Sequence, residues 1–280
     1  MRSKMGDGRR EWTPYPPGGR YLLEISYDGS EYCGYQVQPN GITVQSVLTE
    51  VLRKLYNVSE IHLVGSSRTD AGVHAQRFAV SFLYPLTPVI APDKLQRALN
   101  GLLPDSIKIR SVREVEIRFH ARYDAVGKAY TYVLNLGGIS PFLNKYTYRP
   151  YQNLNVDAMR SAAGVLVGKH DFSSFTVDRD KIKDATRTIY SIDFQRIGDL
   201  LCITYTGDGF LYKMIRCLTG ALEAVGRGRI SREDLERILE AKNRSMAPET
   251  APPQGLFLMK VFYDEAELQS YKLDGLPFGW

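Results

Sequence analysis

The chain has 280 residues, of which 44% are hydrophobic and 24% charged, and its formal net charge is +5. A chain of this size and apolar fraction can bury one large core or two moderate ones. No stretch approaches the roughly 18 consecutive apolar residues of a membrane span, so we expect no membrane role. The modest positive charge is compatible with a polyanionic partner but does not identify one.

Residues 1–19 are rich in Arg, Lys, Pro and Gly and lack the apolar core of a secretory signal peptide. We therefore expect a mobile basic tail in a cytoplasmic protein. The three cysteines are too few and too scattered for a disulfide framework, which agrees with a reducing compartment. Neither the cysteines nor the four histidines have the spacing of metal ligands, so we predict no metal centre.

The first half of the chain is predicted to form an α/β unit. Residues 21–27 alternate between apolar and polar types, as in a half-buried strand, and residues 78–82 do so again. A helix is predicted behind Thr43, which can serve as its N-cap, because apolar residues over 44–55 recur at helical spacing. A second helix is predicted over residues 92–101.

The second half repeats this broad order without a convincing repeat of residues. Its predicted elements are a strand over 130–135, a helix over 156–167, strands over 188–194 and 201–206, a helix over 210–225, a helix that begins with a capping box at Ser231 and Asp234, and a strand over 256–262. This order, which contains no dinucleotide-binding fingerprint, favours an α+β fold over a doubly wound parallel sheet.

Four segments follow from these elements. We predict a basic tail over 1–19, an N-terminal α/β domain over 20–118, a C-terminal α/β domain over 119–270 and a C-terminal tail over 271–280.

The loop over residues 65–75 is the strongest candidate for chemistry. It reads Gly-Ser-Ser-Arg-Thr-Asp-Ala-Gly-Val-His-Ala and holds a single acid, Asp70, between two strand-like segments. Arg68 could keep this carboxylate ionised if both side chains converge in a cleft, and a poorly solvated carboxylate is a usable nucleophile. Considered alone, such a loop is more often a turn whose Asp pairs with a surface Arg.

Residues 67–74 resemble, at seven of eight positions, the active-site motif of the TruA-type tRNA pseudouridine synthases, Gly-Arg-Thr-Asp-Ala-Gly-Val-His. Ser67 stands where that family commonly has its first Gly. Other stretches resemble family motifs in the family's order, and they lie over 27–36, 119–122, 128–132, 168–175, 210–220 and 251–256. Several spaced motifs in the right order are hard to obtain by chance.

The resemblance implies a fold and an activity. The fold would consist of two ferredoxin-like α/β halves whose antiparallel sheets join, with flanking helices and a basic cleft between the halves. The protein would be a homodimer that isomerises uridine to pseudouridine in the anticodon stem-loop of tRNA, at positions 38, 39 and 40, without a metal or cofactor. The target base must leave its stack before a side chain can reach it.

The resemblance also implies roles for five residues. Asp70 would be the nucleophile or base, and the residues alone leave open whether it attacks C1′ or C6. Tyr130 would stack on the flipped base, although Tyr132 shares its predicted strand face and spacing does not choose between them. The other implied roles are Arg216 as the partner of Asp70, Arg68 in the space vacated by the nucleotide, and Leu256 beside the target base.

Two other classes of function stay open at this point. A non-catalytic RNA-binding or RNA-folding protein could keep the same scaffold, but it has little use for a carboxylate directed at phosphates. An enzyme acting on a small molecule would need a substrate pocket or a phosphate-cradling motif, and the sequence indicates neither. Basic clusters over 118–128, 181–187 and 216–229 are compatible with RNA contact and equally with solvated faces.

Overall fold

The computed structural model describes residues 18–85, 88–150, 153–177 and 182–278. Residues 1–17 of the expected basic tail, and residues 279–280 of the expected C-terminal tail, lie outside these ranges. No helix within them is long and apolar enough to cross a membrane.

The first half forms a sheet with two helices in a ferredoxin-like order. Its elements are β1 (Gly18–Tyr27), α1 (Val44–Tyr56), β2 (Leu63–Gly65), β3 (His74–Pro85), α2 (Pro92–Leu102) and β4 (Ile107–Val115). The strands lie in the order β4-β1-β3, and β2 pairs with the edge of β3 opposite β1. All of these pairs are antiparallel.

The second half repeats this arrangement with an additional strand at its edge. Its elements are β5 (Gly127–Asn135), α3 (Val156–Ala163), β6 (Gly168–Asp171), β7 (Thr186–Ile197), β8 (Leu200–Gly207), α4 (Met214–Gly226), α5 (Arg232–Ala241), β9 (Leu256–Phe262) and α6 (Glu265–Ser270). The strands lie in the order β9-β5-β8-β7-β6, with antiparallel neighbours throughout. The predicted α+β class with two joined ferredoxin-like halves is therefore confirmed.

The two halves join into one nine-stranded sheet through β3 and β9. This join is parallel, and only His74 with Phe257 and Ala75 with Leu258 are paired across it. The other end of the same edge of β3 pairs with β2 over Val80 to Phe82. The loop over residues 66–73 leaves β2 and returns to β3 at this edge, so it lies where the two halves meet.

Local capping signals in the sequence are confirmed at two helices. Thr43 caps α1 in a reciprocal capping box with Ser46, each side chain bonding the other residue's backbone N–H at 3.1 Å. Ser231 and Asp234 form the same arrangement at α5, with distances of 3.1 and 2.8 Å. Both caps satisfy N–H groups that a helix start otherwise leaves without partners.

Several predicted boundaries were wrong. The helix predicted from residue 210 begins only at Met214, because Lys213 has a left-handed backbone with φ of 59° that interrupts a helical path. The helix predicted over 156–167 is α-helical only to Ala163, after which Gly164–Leu166 forms a 3-10 turn. The strand predicted over 256–262 has those bounds in the structure.

The sheet has a large core on its helical face and a small core on the other. Side chains of β5 alternate between them: Tyr130 and Tyr132 belong to the large core, whereas Ala129 and Val133 belong to the small one. Part of the segment predicted as a C-terminal tail, residues 271–278, contributes side chains that pack against the small core. Alternate side chains of β5 therefore contact different partners: one set packs in the large core, and the other packs in the small core beside residues 271–278.

Candidate active site

The loop that carries Asp70 is held against the segment that follows β1. The Tyr27 hydroxyl lies 2.8 Å from the Thr69 hydroxyl, and the Tyr35 N–H donates to the Thr69 carbonyl at 3.4 Å. Gly34 has φ of +82°, and a Cβ there would lie 2.3 Å from the Thr69 carbonyl oxygen. A side chain at Gly34 would therefore force this loop away from its position.

Asp70 forms an ion pair with Arg216 across the two halves. Arg216 Nη1 lies 2.6 Å from Asp70 Oδ2, and each side chain is only 12% exposed. Arg216 Nε donates to the Ala251 carbonyl at 2.8 Å, and the Ala251 N–H donates back to the Arg216 carbonyl at 3.0 Å. The guanidinium is therefore fixed between the loop of Asp70 and the segment that precedes β9.

Arg68 does not have the position that charge spacing suggested. The side chain is exposed, and no ion pair joins it to Asp70, although both residues lie within the described ranges. Arg216, which is 146 residues away in sequence, is the partner of the carboxylate instead.

Tyr130 and Tyr132 have different environments although both face the helices. The Tyr130 ring meets the edge of Phe210 at a centroid distance of 5.3 Å and an angle of 85°, and its hydroxyl lies 3.1 Å from Ser67 Oγ. The Tyr132 hydroxyl donates to the Pro252 carbonyl at 2.7 Å and is buried. Tyr130 is therefore the one of the two that borders the cavity described next.

A cavity of about 650 Å³ lies between the two halves and has Asp70, Tyr130 and Leu256 in its wall. This volume is in the range of pockets that hold a small molecule or a single nucleoside. Six cationic side chains also line it, and they are Arg68, Arg122, Lys128, Lys183, Arg187 and Lys213. The described lining contains only two acids, Asp70 and Asp184, so the cavity favours anionic ligands.

Burial shifts the pKa values of two groups in this cavity. Burial raises the pKa of the Tyr130 phenol to about 12, the bond to Ser67 opposes the rise, and nearby Asp70 adds to it. The shift moves the pKa of the phenol further above physiological pH, where a phenol is already neutral. Burial, together with Arg122 and Arg187, lowers the pKa of the Lys128 ammonium to about 8.

The family model for tRNA pseudouridine synthase matches residues 24–124 and 162–264. A protein of Exiguobacterium sibiricum named tRNA pseudouridine synthase A is 44% identical over 89% of this chain and 98% of its own length. Proteins of the same name from Geobacillus sp. and Listeria welshimeri are each 42% identical over 88% of this chain and 98% and 99% of their own lengths. The chain belongs to the tRNA pseudouridine synthase family.

The predicted family is therefore confirmed, and with it the expectation of an isomerase that modifies RNA. Among solved structures, a Cbf5-Nop10-Gar1 complex matches with a TM-score of 0.35 and 11% identity, over 85% of this chain and 48% of the matched chain. A likeness this weak supports no conclusion about the chain.

The basic clusters of this pseudouridine synthase family member contribute unequally to the cavity. The first two clusters supply Arg122, Lys128, Lys183 and Arg187, whereas Lys181 lies outside the described residues. In the third cluster, Arg216 pairs with Asp70, but Arg227, the C-cap residue of α4, pairs with Glu223 of that helix. Charge clustering in sequence therefore indicated the cationic lining only in part.

Sequence reasoning missed the individual positions of Phe210, Lys128 and Lys213. Phe210 and Lys213 were assigned to a helix, but they lie in the turn before α4 and line the cavity. Lys128 was assigned to a basic cluster and to the family-like stretch over 128–132 but not to the site, although its spacing of two residues from Tyr130 on one strand could have placed it beside that ring. No group of three or more His, Cys, Asp or Glu residues within the described ranges could hold a metal ion.

Proposed function

We propose that this protein isomerises uridine to pseudouridine in the anticodon stem-loop of tRNA, at positions 38, 39 and 40, with Asp70 as the nucleophile. The observation that carries the proposal is the Asp70–Arg216 ion pair, whose carboxylate lies in the wall of a nucleoside-sized cationic cavity. Membership of the tRNA pseudouridine synthase family supports tRNA as the substrate, and the anticodon positions follow from the resemblance of the motifs.

The reaction needs the target uridine outside its base stack. Extrusion of a base costs a few kcal/mol of stacking and pairing, which aromatic and apolar side chains in a pocket can offset. The Tyr130 ring and Leu256 are the wall residues suited to this, because both are buried beside Asp70 in the same cavity. Arg68, exposed at the cavity, is the residue proposed to occupy the space that the extruded nucleotide leaves.

The chemistry then breaks and remakes one bond between base and sugar. The Asp70 carboxylate attacks either C1′ of the ribose or C6 of the uracil, the bond from N1 to C1′ breaks, and the retained base rotates. A new bond forms between C5 and C1′, the bond between Asp70 and the substrate breaks to restore the carboxylate, the C5 proton leaves, and N1 gains a proton. Uridine and pseudouridine are isomers, so the balance requires no oxidant, reductant or second substrate. Arg216 keeps the carboxylate oriented, and the neutral Tyr130 phenol packs against the base.

Recognition of the tRNA is proposed to rest on phosphate contacts and shape. The cationic side chains around the cavity would neutralise phosphates next to the flipped nucleotide and position the stem without reading its sequence. A homodimer acting in the cytoplasm is part of the same proposal, and it follows from the resemblance to the family.

The proposal is tested by mixing the purified protein with unmodified tRNA, without added metal or cofactor, and mapping pseudouridine. We expect product at positions 38, 39 and 40 and none when those uridines are replaced by cytidines. Asp70→Asn should abolish product and leave the dissociation constant for tRNA within about twofold, because the cationic lining is unchanged. Asp93→Asn is the matched control, since Asp93 pairs with Arg97 at 2.8 Å on an exposed face of α2.

Two results would contradict the proposal. Product at the wild-type rate from Asp70→Asn would exclude Asp70 as the nucleophile. Tight tRNA binding by the wild-type protein without any product would favour the non-catalytic RNA-binding alternative.

A further inference from the structure

Ser67 is the position at which this chain departs from the family's loop motif, and its side chain contacts the proposed base-stacking residue. Ser67 Oγ lies 3.1 Å from the Tyr130 hydroxyl. Within the described ranges, no other side chain or backbone group hydrogen-bonds to this phenol. Glycine has no side chain and could not make the bond. The backbone does not demand glycine here, because Ser67 is absent from the described non-glycine residues with positive φ.

The residue before Ser67 is fixed by hydrogen bonds at each of its polar groups. Ser66 is completely buried, its N–H donates to the Ala79 carbonyl at 2.9 Å, and its hydroxyl accepts from the Ala79 N–H at 3.3 Å. Its carbonyl accepts from Lys128 Nζ at 2.9 Å. The Ser67 side chain therefore extends from backbone that is held on one side by β3 and on the other by β5.

Lys128 and Tyr130 lie on the same face of β5, because they are two residues apart on one strand. Each makes one hydrogen bond to the loop of the first half, Lys128 to Ser66 and Tyr130 to Ser67. These two bonds span the cavity wall between the halves and fix the separation between the phenol and the Asp70 loop. Only the bond of Tyr130 requires a serine side chain, because Lys128 bonds to the backbone carbonyl of Ser66.

We propose that Ser67 is a positioning residue whose hydroxyl holds the Tyr130 phenol against the Asp70 loop and thereby sets the orientation of the ring on which the flipped uracil lies. The inference rests on the proposed function. Ser67 acts through Tyr130 and contacts no reacting atom. The bond also leaves the phenol with a partner before substrate arrives, and a buried hydroxyl without a partner is unfavourable.

Loss of the hydroxyl is expected to affect the chemical step more than binding. Small displacements of a positioned group reduce rate steeply, whereas the phosphate contacts that dominate RNA affinity lie elsewhere in the cavity lining. We expect Ser67→Ala to lower the single-turnover rate constant by about tenfold, the usual effect of one lost hydrogen bond, and to leave the tRNA dissociation constant within about twofold. Ser67→Thr, which keeps a hydroxyl, should recover most of the rate.

The test is a double-mutant cycle with Tyr130→Phe, which removes the hydroxyl but keeps the ring. If Ser67 acts through the phenol, Ser67→Ala should have less than a twofold effect in the Tyr130→Phe background. The matched control is Ser106→Ala, because Ser106 Oγ lies 2.7 Å from the Tyr32 hydroxyl in a similar pair that is not part of the cavity lining. That variant should keep the wild-type rate.

A second measurement reports on the contact without activity. Placing 3-fluorotyrosine at position 130 gives a ¹⁹F resonance that is sensitive to the hydrogen bond of the phenol. We expect Ser67→Ala to shift this resonance and Ser106→Ala to leave it unchanged. An unchanged resonance overturns the proposal even if Ser67→Ala lowers the rate or reduces the yield of folded protein.

The kinetic outcomes separate this inference from the proposed function. A wild-type rate for Ser67→Ala, or equal effects of Ser67→Ala in the presence and absence of the Tyr130 hydroxyl, would overturn the positioning role while the Asp70→Asn result still stands. If the wild-type protein makes no pseudouridine, the proposed function fails, and the ¹⁹F comparison then decides whether the contact itself exists.

Discussion

Replacement of Arg216 by methionine tests how much unfolding free energy is lost when the Asp70 carboxylate loses its partner. Methionine is similar in length to the aliphatic part of arginine and removes both the bond to Asp70 and the bond to the Ala251 carbonyl. Because each member of the pair is only 12% exposed, water would solvate the remaining carboxylate only from the side that faces the cavity. Removal of one partner of such a buried pair costs about 3–5 kcal/mol of unfolding free energy.

A second substitution separates the cost of leaving the Asp70 carboxylate unpaired from the cost of losing the other contacts of Arg216. In an Asp70→Asn background, Arg216→Met no longer leaves an unpaired charge, so its cost should fall by about 1–3 kcal/mol. Urea unfolding of the four proteins, followed by circular dichroism, measures the difference. A total cost of about 3–5 kcal/mol lies below the stability of many native proteins, about 5–15 kcal/mol, so folded protein should remain measurable.

The control for this cycle is Arg97→Met on α2. Arg97 and Asp93 form a pair at 2.8 Å, but their side chains are 73% and 68% exposed. An exposed pair of this kind contributes about 0–1 kcal/mol. The reasoning is refuted if Arg216→Met costs no more than Arg97→Met, or if its cost is the same with and without the Asp70 carboxylate.

Three other predictions concern protonation, RNA contact and helix capping. The pKa of Lys128 is about 8 in the folded state and near 10.5 in the unfolded state, so between these pH values the unfolded chain binds one more proton than the folded chain. In urea unfolding over this pH range, the stability of the wild-type protein should therefore rise relative to that of Lys128→Met by about 1.4 kcal/mol per pH unit. An equal pH dependence of the two proteins would contradict this prediction. Arg122→Gln should reduce the slope of log affinity for tRNA against log salt by about 1 in filter-binding titrations, whereas Arg97→Gln should leave it unchanged. Ser231→Ala removes a cap from α5 and should lower the unfolding free energy by about 1 kcal/mol, and a change below a few tenths would show that the capping box is not stabilising.

Local features of the sequence predicted local features of the fold well. Thr43 and Ser231 act through residues three positions away, so the caps are visible in the sequence itself. The start of α4 was missed because Lys213 has a left-handed backbone, a conformation that a lysine in the sequence does not indicate. The resemblance predicted that the two sheets join, but the strands that join them, β3 and β9, and their parallel direction were not predicted. Strand periodicity describes one strand and carries no information on which strand lies beside it.

The candidate site depended more heavily on resemblance. The partner of Asp70 is 146 residues away, and the nearby Arg68 was the more obvious choice on charge and spacing alone. The choice between Tyr130 and Tyr132 could not be made from spacing, because the two share a strand face. They differ only in the residues from other segments that contact them. These are long-range properties of the packed chain, which single residues do not encode. The roles of all five site residues stay predictions.

The location of the join between the halves has a consequence for any attempt to divide this protein. His74 Nδ1 lies 3.1 Å from both the Gly29 nitrogen and Asp28 Oδ1, and its Nε2 lies 3.0 Å from the Lys145 carbonyl and 3.1 Å from the Gln254 carbonyl. One imidazole thus fastens a turn of the first half to two segments of the second. The acid is encoded before residue 119 and its counter-cation after it, so fragments cut there would each carry an incomplete centre, and activity could return only through their reassembly.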